Sequence, residues 1–137
     1  MAVNTRTEYA LRALIEMIDA DGGQISAQKI CERQHLPKKY VEHLLGALKA
    51  AKLIISSAGA HGGYILAKKA EETTLLDVME AVDDASMLSC AGDRERFCLG
   101  LGCQFSPFFD ELSAKQRKLF QSYNLKKIHK IYKGDKK

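Results

Sequence analysis

The order of breaks between residues 19 and 67 constrains this 137-residue chain more than any other feature. Asp21-Gly22-Gly23 interrupts a first helical pattern, and Ser26, a good helix N-cap, opens a second. His35-Leu36 then leaves a two-residue connection before Pro37, whose missing N–H suits the first turn of a third helix. Ala58-Gly59-Ala60-His61-Gly62-Gly63 separates two short β-type runs, and its three glycines suit a sharply bent hairpin tip. Helix, short helix, tight turn, helix and glycine-tipped hairpin, in that order, make a winged helix–turn–helix. A plain helical bundle with a stray hairpin leaves the turn length, Pro37 and the wing unexplained.

The remaining elements follow from apolar spacing. Leu11, Leu14, Ile15 and Ile18 predict a first helix from Asn4 or Thr5 to Asp19, with those four residues as its buried face. The second helix is expected to reach about Gln34, and the third to run from Pro37 to Ala51 with Val41, Leu44, Leu45 and Leu48 inward. Leu53–Ser56 and Tyr64–Ala67 read as strands. Thr74 caps a further helix with Leu75, Leu76, Val78, Met79 and Val82 as its apolar contacts. Periodicity lapses from Asp83 to about Gln104, and Ser106-Pro107 restarts a helix with Phe108, Phe109, Leu112, Leu119, Phe120 and Tyr123 on its apolar face. A short basic helix or tail follows from Leu125.

The fold class is therefore mainly α: a winged helix–turn–helix domain with a small β-hairpin wing, plus a long C-terminal dimerisation helix. Residues 1–82 are assigned to the DNA-binding domain, 83–104 to a cysteine-containing sensor loop, and 105–137 to the dimerisation helix and basic tail. The last helix offers more apolar surface than a lone helix can hide on a small domain, and a two-fold homodimer would bury it.

Charge is unevenly placed. Residues 113–137 carry nine Lys/Arg against one Asp, while residues 1–112 carry twelve against sixteen Asp/Glu. Such a tail is ordinary for a solvated terminus, so the case for nucleic acid rests on local placement. The chain shows neither a signal peptide nor an apolar stretch of ~20 residues, and a cytoplasmic protein with no membrane partner is expected. Cytoplasmic thiols stay mostly reduced, which turns the four cysteines toward metal, redox sensing or burial.

With Val41, Leu44, Leu45 and Leu48 inward, Lys38, Lys39, Glu42, His43 and Lys49 fall on the other faces of the third helix. Lys38 and Lys39 occupy the first turn, the end that enters the major groove in this motif, where they can neutralise phosphates or reach guanine. Glu42 can accept from a cytosine amino group, His43 can contact a base edge or phosphate, and the Tyr40 hydroxyl can meet a phosphate. A solvated amphipathic face has the same composition; the position between a turn and a wing favours a double-stranded DNA operator.

Cys90, Cys98 and Cys103 lie within fourteen residues on a glycine-containing segment that lacks helical period. A loop lets several thiolates converge on one centre, and soft sulfur favours iron–sulfur clusters, zinc or copper(I). The spacing differs from the paired two-residue spacing of zinc fingers. Cys31, inside the second helix, is expected to be a buried small residue.

Thr7-Glu8-Tyr9-Ala10-Leu11-Arg12-Ala13-Leu14, Pro37-Lys38-Lys39-Tyr40-Val41-Glu42, Gly62-Gly63-Tyr64-Ile65-Leu66-Ala67 and Thr74-Leu75-Leu76-Asp77-Val78 resemble the signature segments of the Rrf2 family of bacterial regulators. The resemblance runs from Thr5 to about Ile128. It implies a homodimer on a pseudo-palindromic operator, usually repressing transcription. Tyr40, Glu42 and His43 match groove-facing positions, and Gly59, His61 and Tyr64 fall in the wing. Ala58 stands where the family commonly has an arginine that reaches the minor groove, leaving His61 as the nearby basic alternative.

The resemblance further implies an iron–sulfur cluster (2Fe–2S or 4Fe–4S) on Cys90, Cys98 and Cys103. It would sense nitric oxide, redox state or iron–sulfur supply, with Glu8 of the first helix as the remaining ligand across the dimer and His35 as a weaker candidate. Two other functions are compatible with the residues: a metal-free thiol-switch regulator, and a protein–protein adaptor that has lost operator binding. No catalytic constellation of an enzyme is present.

Overall fold

A computed structural model of the chain describes residues 3–20, 24–57, 62–83 and 104–134. Ala58, Gly59, His61, Cys90, Cys98, Cys103 and the Asp21-Gly22-Gly23 stop lie outside the described residues.

Helix α1 (Thr5–Asp19) starts where the Asn4 side chain accepts from the Thr7 N–H at 3.2 Å. Its buried line is rotated from the one predicted. Ala10, Ala13, Leu14, Ile15 and Met17 are buried, whereas Leu11 and Ile18 are half-buried. Leu14 and Ile15 are buried as predicted, and the small Ala10 and Ala13 join them at 0 and 1% exposure, because the distance between packed helices depends on the side chains at the crossing.

Helix α2 (Ala27–Gln34) opens on Ser26, which accepts from the Lys29 N–H at 3.2 Å. It closes at His35, whose φ of 55° is left-handed, and the Leu36 N–H donates back to the Cys31 carbonyl at 3.1 Å. Pro37 is extended and forms the N-cap of α3 (Lys38–Ala50) rather than its first helical residue. Val41, Leu44, Leu45 and Leu48 are the buried stripe of α3, as their spacing predicts.

Strands β1 (Ile54–Ser57) and β2 (Gly63–Leu66) pair antiparallel, with Ile54 opposite Leu66 and Ser57 opposite Gly63. Both sit one residue away from the predicted spans. Leu53 belongs instead to the turn after α3, where its N–H donates to the Leu48 carbonyl at 3.0 Å. After a short 3-10 turn (Ala70–Glu72), α4 (Leu75–Ala81) opens on a reciprocal cap. The Asp77 N–H donates to Thr74 Oγ1 at 3.1 Å, and the Thr74 N–H donates to Asp77 Oδ2 at 2.9 Å.

Helices α5 (Ser106–Gln121) and α6 (Leu125–Tyr132) complete the described chain. Their joint is stitched to the start of α4: the Leu75 N–H donates to the Tyr123 carbonyl at 2.8 Å, and the Leu125 N–H to the Thr73 carbonyl at 2.9 Å. One core gathers Leu14, Met17, Ile30, Val41, Leu45, Leu48, Ile54, Val78 and Leu125, so the C-terminal helix shares the core of the helix–turn–helix. A smaller cluster of Leu76, Met79 and Phe120 joins α4 to α5. Truncating a core leucine such as Leu14 or Leu45 to alanine removes about 2–5 kcal/mol. Among the described residues no helix is long and apolar enough to cross a membrane.

Candidate nucleic-acid interface

The interface is built on the contrast between the two sides of α3. Opposite its buried stripe, Lys38, Lys39, Glu42, His43, Gly46 and Lys49 are all exposed. Lys38 Nζ lies 3.9 Å from Glu42 Oε1, one helical turn on, with both side chains more than half exposed. An exposed pair of this kind contributes ~0–1 kcal/mol and yields readily to a competing phosphate. Pro37 provides no side-chain cap, so the first N–H groups of α3 are left to solvent or to an incoming anion.

Tyr40 is placed differently from its neighbours. Its ring is half-buried and stands edge-on against Tyr9 of α1, with centroids 5.5 Å apart and an interplanar angle of 88°. It therefore braces α3 on α1. Beneath the turn, burial pushes the Cys31 thiol above its ordinary pKa while the neighbouring Lys38 pulls the other way. Cys31 is half-buried and packs against the core, close to the role its helical position predicts.

The wing is tied to the body at its base. Tyr64 and Ile25 exchange two backbone hydrogen bonds, Tyr64 N to Ile25 O at 2.8 Å and Ile25 N to Tyr64 O at 3.1 Å. This contact explains Gly63: a Cβ there would stand 2.5 Å from the Ile25 carbonyl oxygen. Close approach of backbone to backbone is the reason for that glycine. Tyr64 is half-buried and packs against the core, so it anchors the wing.

Sequence reasoning passed over Arg6. It is half-buried at the start of α1 and lines a cleft of about 240 Å³ with His43 of α3 and Asp83 at the end of α4. Arg6 makes no ion pair among the described residues. No sequence signal pairs it with His43, because 37 positions separate them and only the packing of α1 on α3 brings them together.

Glu8 sits one turn into α1, held by Arg12. Arg12 Nη2 and Nε donate to Glu8 Oε2 at 2.9 and 3.1 Å, and Arg12 Nη1 donates to Gln34 Oε1 at 3.2 Å. Glu8 Oε1 takes no hydrogen bond among the described residues. His35 is exposed in the turn. Among the described residues no group of three or more His, Cys, Asp or Glu is placed to hold a metal ion.

Away from this face, Phe105 at the N-cap of α5 and Phe108, Leu112 and Leu119 within it turn outward, at 66, 54, 44 and 54% exposure. Phe109 touches both Phe105 and Phe108, with ring centroids at 6.3 and 5.3 Å. Only Phe120 of the predicted apolar face is buried, and Tyr123 is half-buried.

The family described as "Rrf2: Iron-dependent Transcriptional regulator" matches residues 3–131. The chain is similar to Protein rrf2 of Nitratidesulfovibrio vulgaris, 39% identical over 85 residues. That match covers 61% of this chain and 57% of the relative, so it spans little more than half of the relative's length. It is also similar to the HTH-type transcriptional regulator IscR of Photorhabdus laumondii, 27% identical over 129 residues, covering 93% of this chain and 79% of the relative. The solved structure of T. potens IscR superposes with a TM-score of 0.72 at 24% identity, covering 98% of this chain and 90% of that one. At that identity the likeness shows the fold: a mainly helical winged helix–turn–helix.

Proposed function

The chain belongs to the Rrf2 family of transcriptional regulators, and from that premise we propose that it binds operator DNA as a symmetric dimer under the control of an iron–sulfur centre. Regulation of transcription, rather than catalysis, is the activity of its relatives. The observation that carries the DNA reading is the exposed edge of α3, where Lys38, Lys39, His43 and Lys49 stand opposite the buried leucine stripe.

In this reading residues 1–82 form the DNA-binding unit. Lys38 and Lys39 neutralise phosphates at the mouth of the major groove, while Glu42 and His43 face base edges. Arg6, which lines one cleft with His43, adds a cation near the same edge. Tyr40 and Tyr64 act indirectly, by bracing α3 on α1 and the wing on Ile25. Gly59 and His61 belong to the wing tip that reaches the neighbouring groove. Residues 105–137 supply the dimer contact: the exposed line of Phe105, Phe108, Leu112 and Leu119 recurs at heptad-like spacing and is the surface a second copy would cover.

Residues 83–104 supply the sensor. Cys90, Cys98 and Cys103 offer three thiolates, and Oε1 of Glu8, which takes no hydrogen bond among the described residues, leaves that carboxylate able to serve as a fourth donor. When bound, an iron–sulfur cluster supplies a centre whose integrity responds to redox state, nitric oxide or iron–sulfur supply. The chain's own part is to hold Glu8 in place through Arg12. In the sequence the three cysteines fall between α4 and α5.

Anaerobic reconstitution tests the whole reading. Iron and sulfide should co-purify with a charge-transfer absorbance spectrum, and operator affinity should differ between loaded and stripped protein. Equal affinities would defeat the control model, and protein that takes up no iron but responds to thiol oxidants would identify a thiol switch. Sedimentation of wild type and of Leu112→Glu/Leu119→Glu should give a dimer and a monomer, respectively.

A further inference from the structure

Gly46 lies in the interior of α3, four residues before its last helical residue, on the exposed side. Glycine is the least favourable helix-interior residue after proline, because it loses the most backbone freedom on folding. Three ordinary reasons for keeping one are absent at this position. Its φ is not left-handed, so no special backbone conformation calls for it. It does not cap the helix, which ends at Ala50. A Cβ built on it would meet nothing within 4 Å, so no neighbour excludes a side chain. Gly63 is the contrast, since its missing Cβ is explained inside the molecule by the Ile25 carbonyl.

The space over Gly46 is bounded by Glu42 and His43 one turn before it and by Lys49 and Ala50 one turn after, all exposed, with Lys39 a further turn back. Gly46 is thus the bare centre of the charged face. We propose that Gly46 is the point at which the body of α3, beyond the first turn that enters the groove, comes closest to duplex DNA, left without a side chain so that the helix backbone can seat in the major groove. The occupant is nucleic acid rather than a second protein helix, because the rim carries Lys39, His43 and Lys49 against the single acid Glu42 and has no large apolar side chain. An α-helix only just fits the major groove, so one side chain at its inner line changes the depth of insertion. This inference rests on α3 being the groove helix and adds to it which residue sets the depth.

The test compares Gly46→Ala, Gly46→Leu and Lys38→Gln/Lys39→Gln with wild type. Duplexes are first enriched from a random-sequence pool with the wild-type protein, and each variant is then titrated against an enriched duplex and an unselected one. Gly46→Ala should melt about 3 °C higher than wild type, as expected for filling an exposed helix position. Gly46→Leu should lose about tenfold or more in affinity for the enriched duplex and change little on the unselected one, which is held mainly by phosphate contacts. Wild-type affinity of Gly46→Leu for the enriched duplex would overturn the proposal, and so would a lower melting temperature for Gly46→Ala. Failure of the wild type to enrich any sequence, with the lysine variant binding unselected duplex as well as wild type, would instead remove the groove-helix reading itself.

Discussion

Glu8 and Arg12, one turn apart on α1, form an ion pair in which both guanidinium contacts fall on the same carboxylate oxygen, Oε2. Each side chain is 39% exposed, so the pair contributes at most ~1 kcal/mol to stability. Its interest is positional, because Arg12 also reaches Gln34 and thereby fixes where the Glu8 carboxylate points. Glu8→Gln should reduce the iron retained after anaerobic reconstitution and desalting, while Arg12→Gln should leave folding intact and alter iron retention through Glu8 alone. The measurement is iron per protomer with thermal melting as control. Full retention in Glu8→Gln would remove Glu8 from the ligand set.

Lys38 and Lys39 should report phosphate contacts through salt dependence. Each phosphate neutralised contributes about 0.9 to the slope of log affinity against log salt. Lys38→Gln/Lys39→Gln should therefore flatten that slope by about two units per protomer, measured by fluorescence anisotropy on a duplex between low and moderate salt. An unchanged slope would place both lysines away from the backbone.

Gly63 and Gly46 should respond oppositely to the same substitution. Gly63→Ala drives a Cβ onto the Ile25 carbonyl and should destabilise the protein by about 1–3 kcal/mol in urea titrations. Because the clash pries the wing base from Ile25 ahead of α2, operator affinity should fall with it. A neutral Gly63→Ala would mean that the Ile25–Tyr64 bridge relaxes without consequence.

Asp19 gives a pH signature for the docking of α6. Its carboxylate meets His129 Nε2 and Lys133 Nζ, each at 2.7 Å. Burial pushes the Asp19 pKa up, but the hydrogen bonds from Lys133 and His129 together hold it below its ordinary value of 3.8. The stabilisation is therefore present above that value and lost as pH falls through the lowered one. The Asp19 hydrogen bond also raises Lys133 above its ordinary 10.5, so its share is complete below 10.5 and is lost as pH climbs past the raised value. The stability gap between wild type and Asp19→Asn should be widest near neutrality and shrink in acid and in strong base, as read by urea midpoints across pH. A gap independent of pH would show that the pair does not hold α6.

Much of the fold was legible locally. The Ser26 and Thr74 caps, the Val41–Leu44–Leu45–Leu48 stripe and the two-residue turn before Pro37 each act within about one helical turn, so their signals survive in a one-dimensional string. On α1 the spacing finds Leu14 and Ile15 but overstates Leu11 and Ile18 and misses the alanines, for the complementary reason. Ala10 and Ala13 carry little hydrophobic signal of their own, and only the crossing partner buries them as fully as Leu14.

What the chain alone determined is which helix presents a cationic edge: burying four apolar side chains on one side of α3 leaves the charged residues nowhere else to go. Tertiary structure decided the rest. It turned Tyr40 into a brace against Tyr9, gave Gly63 its reason in Ile25, brought Arg6 and His43 to the lining of one cleft, and pinned α6 through Asp19 across 110 positions of sequence. Contacts of that kind depend on how helices and strands settle against one another around a shared core, and no short-range spacing rule encodes that arrangement.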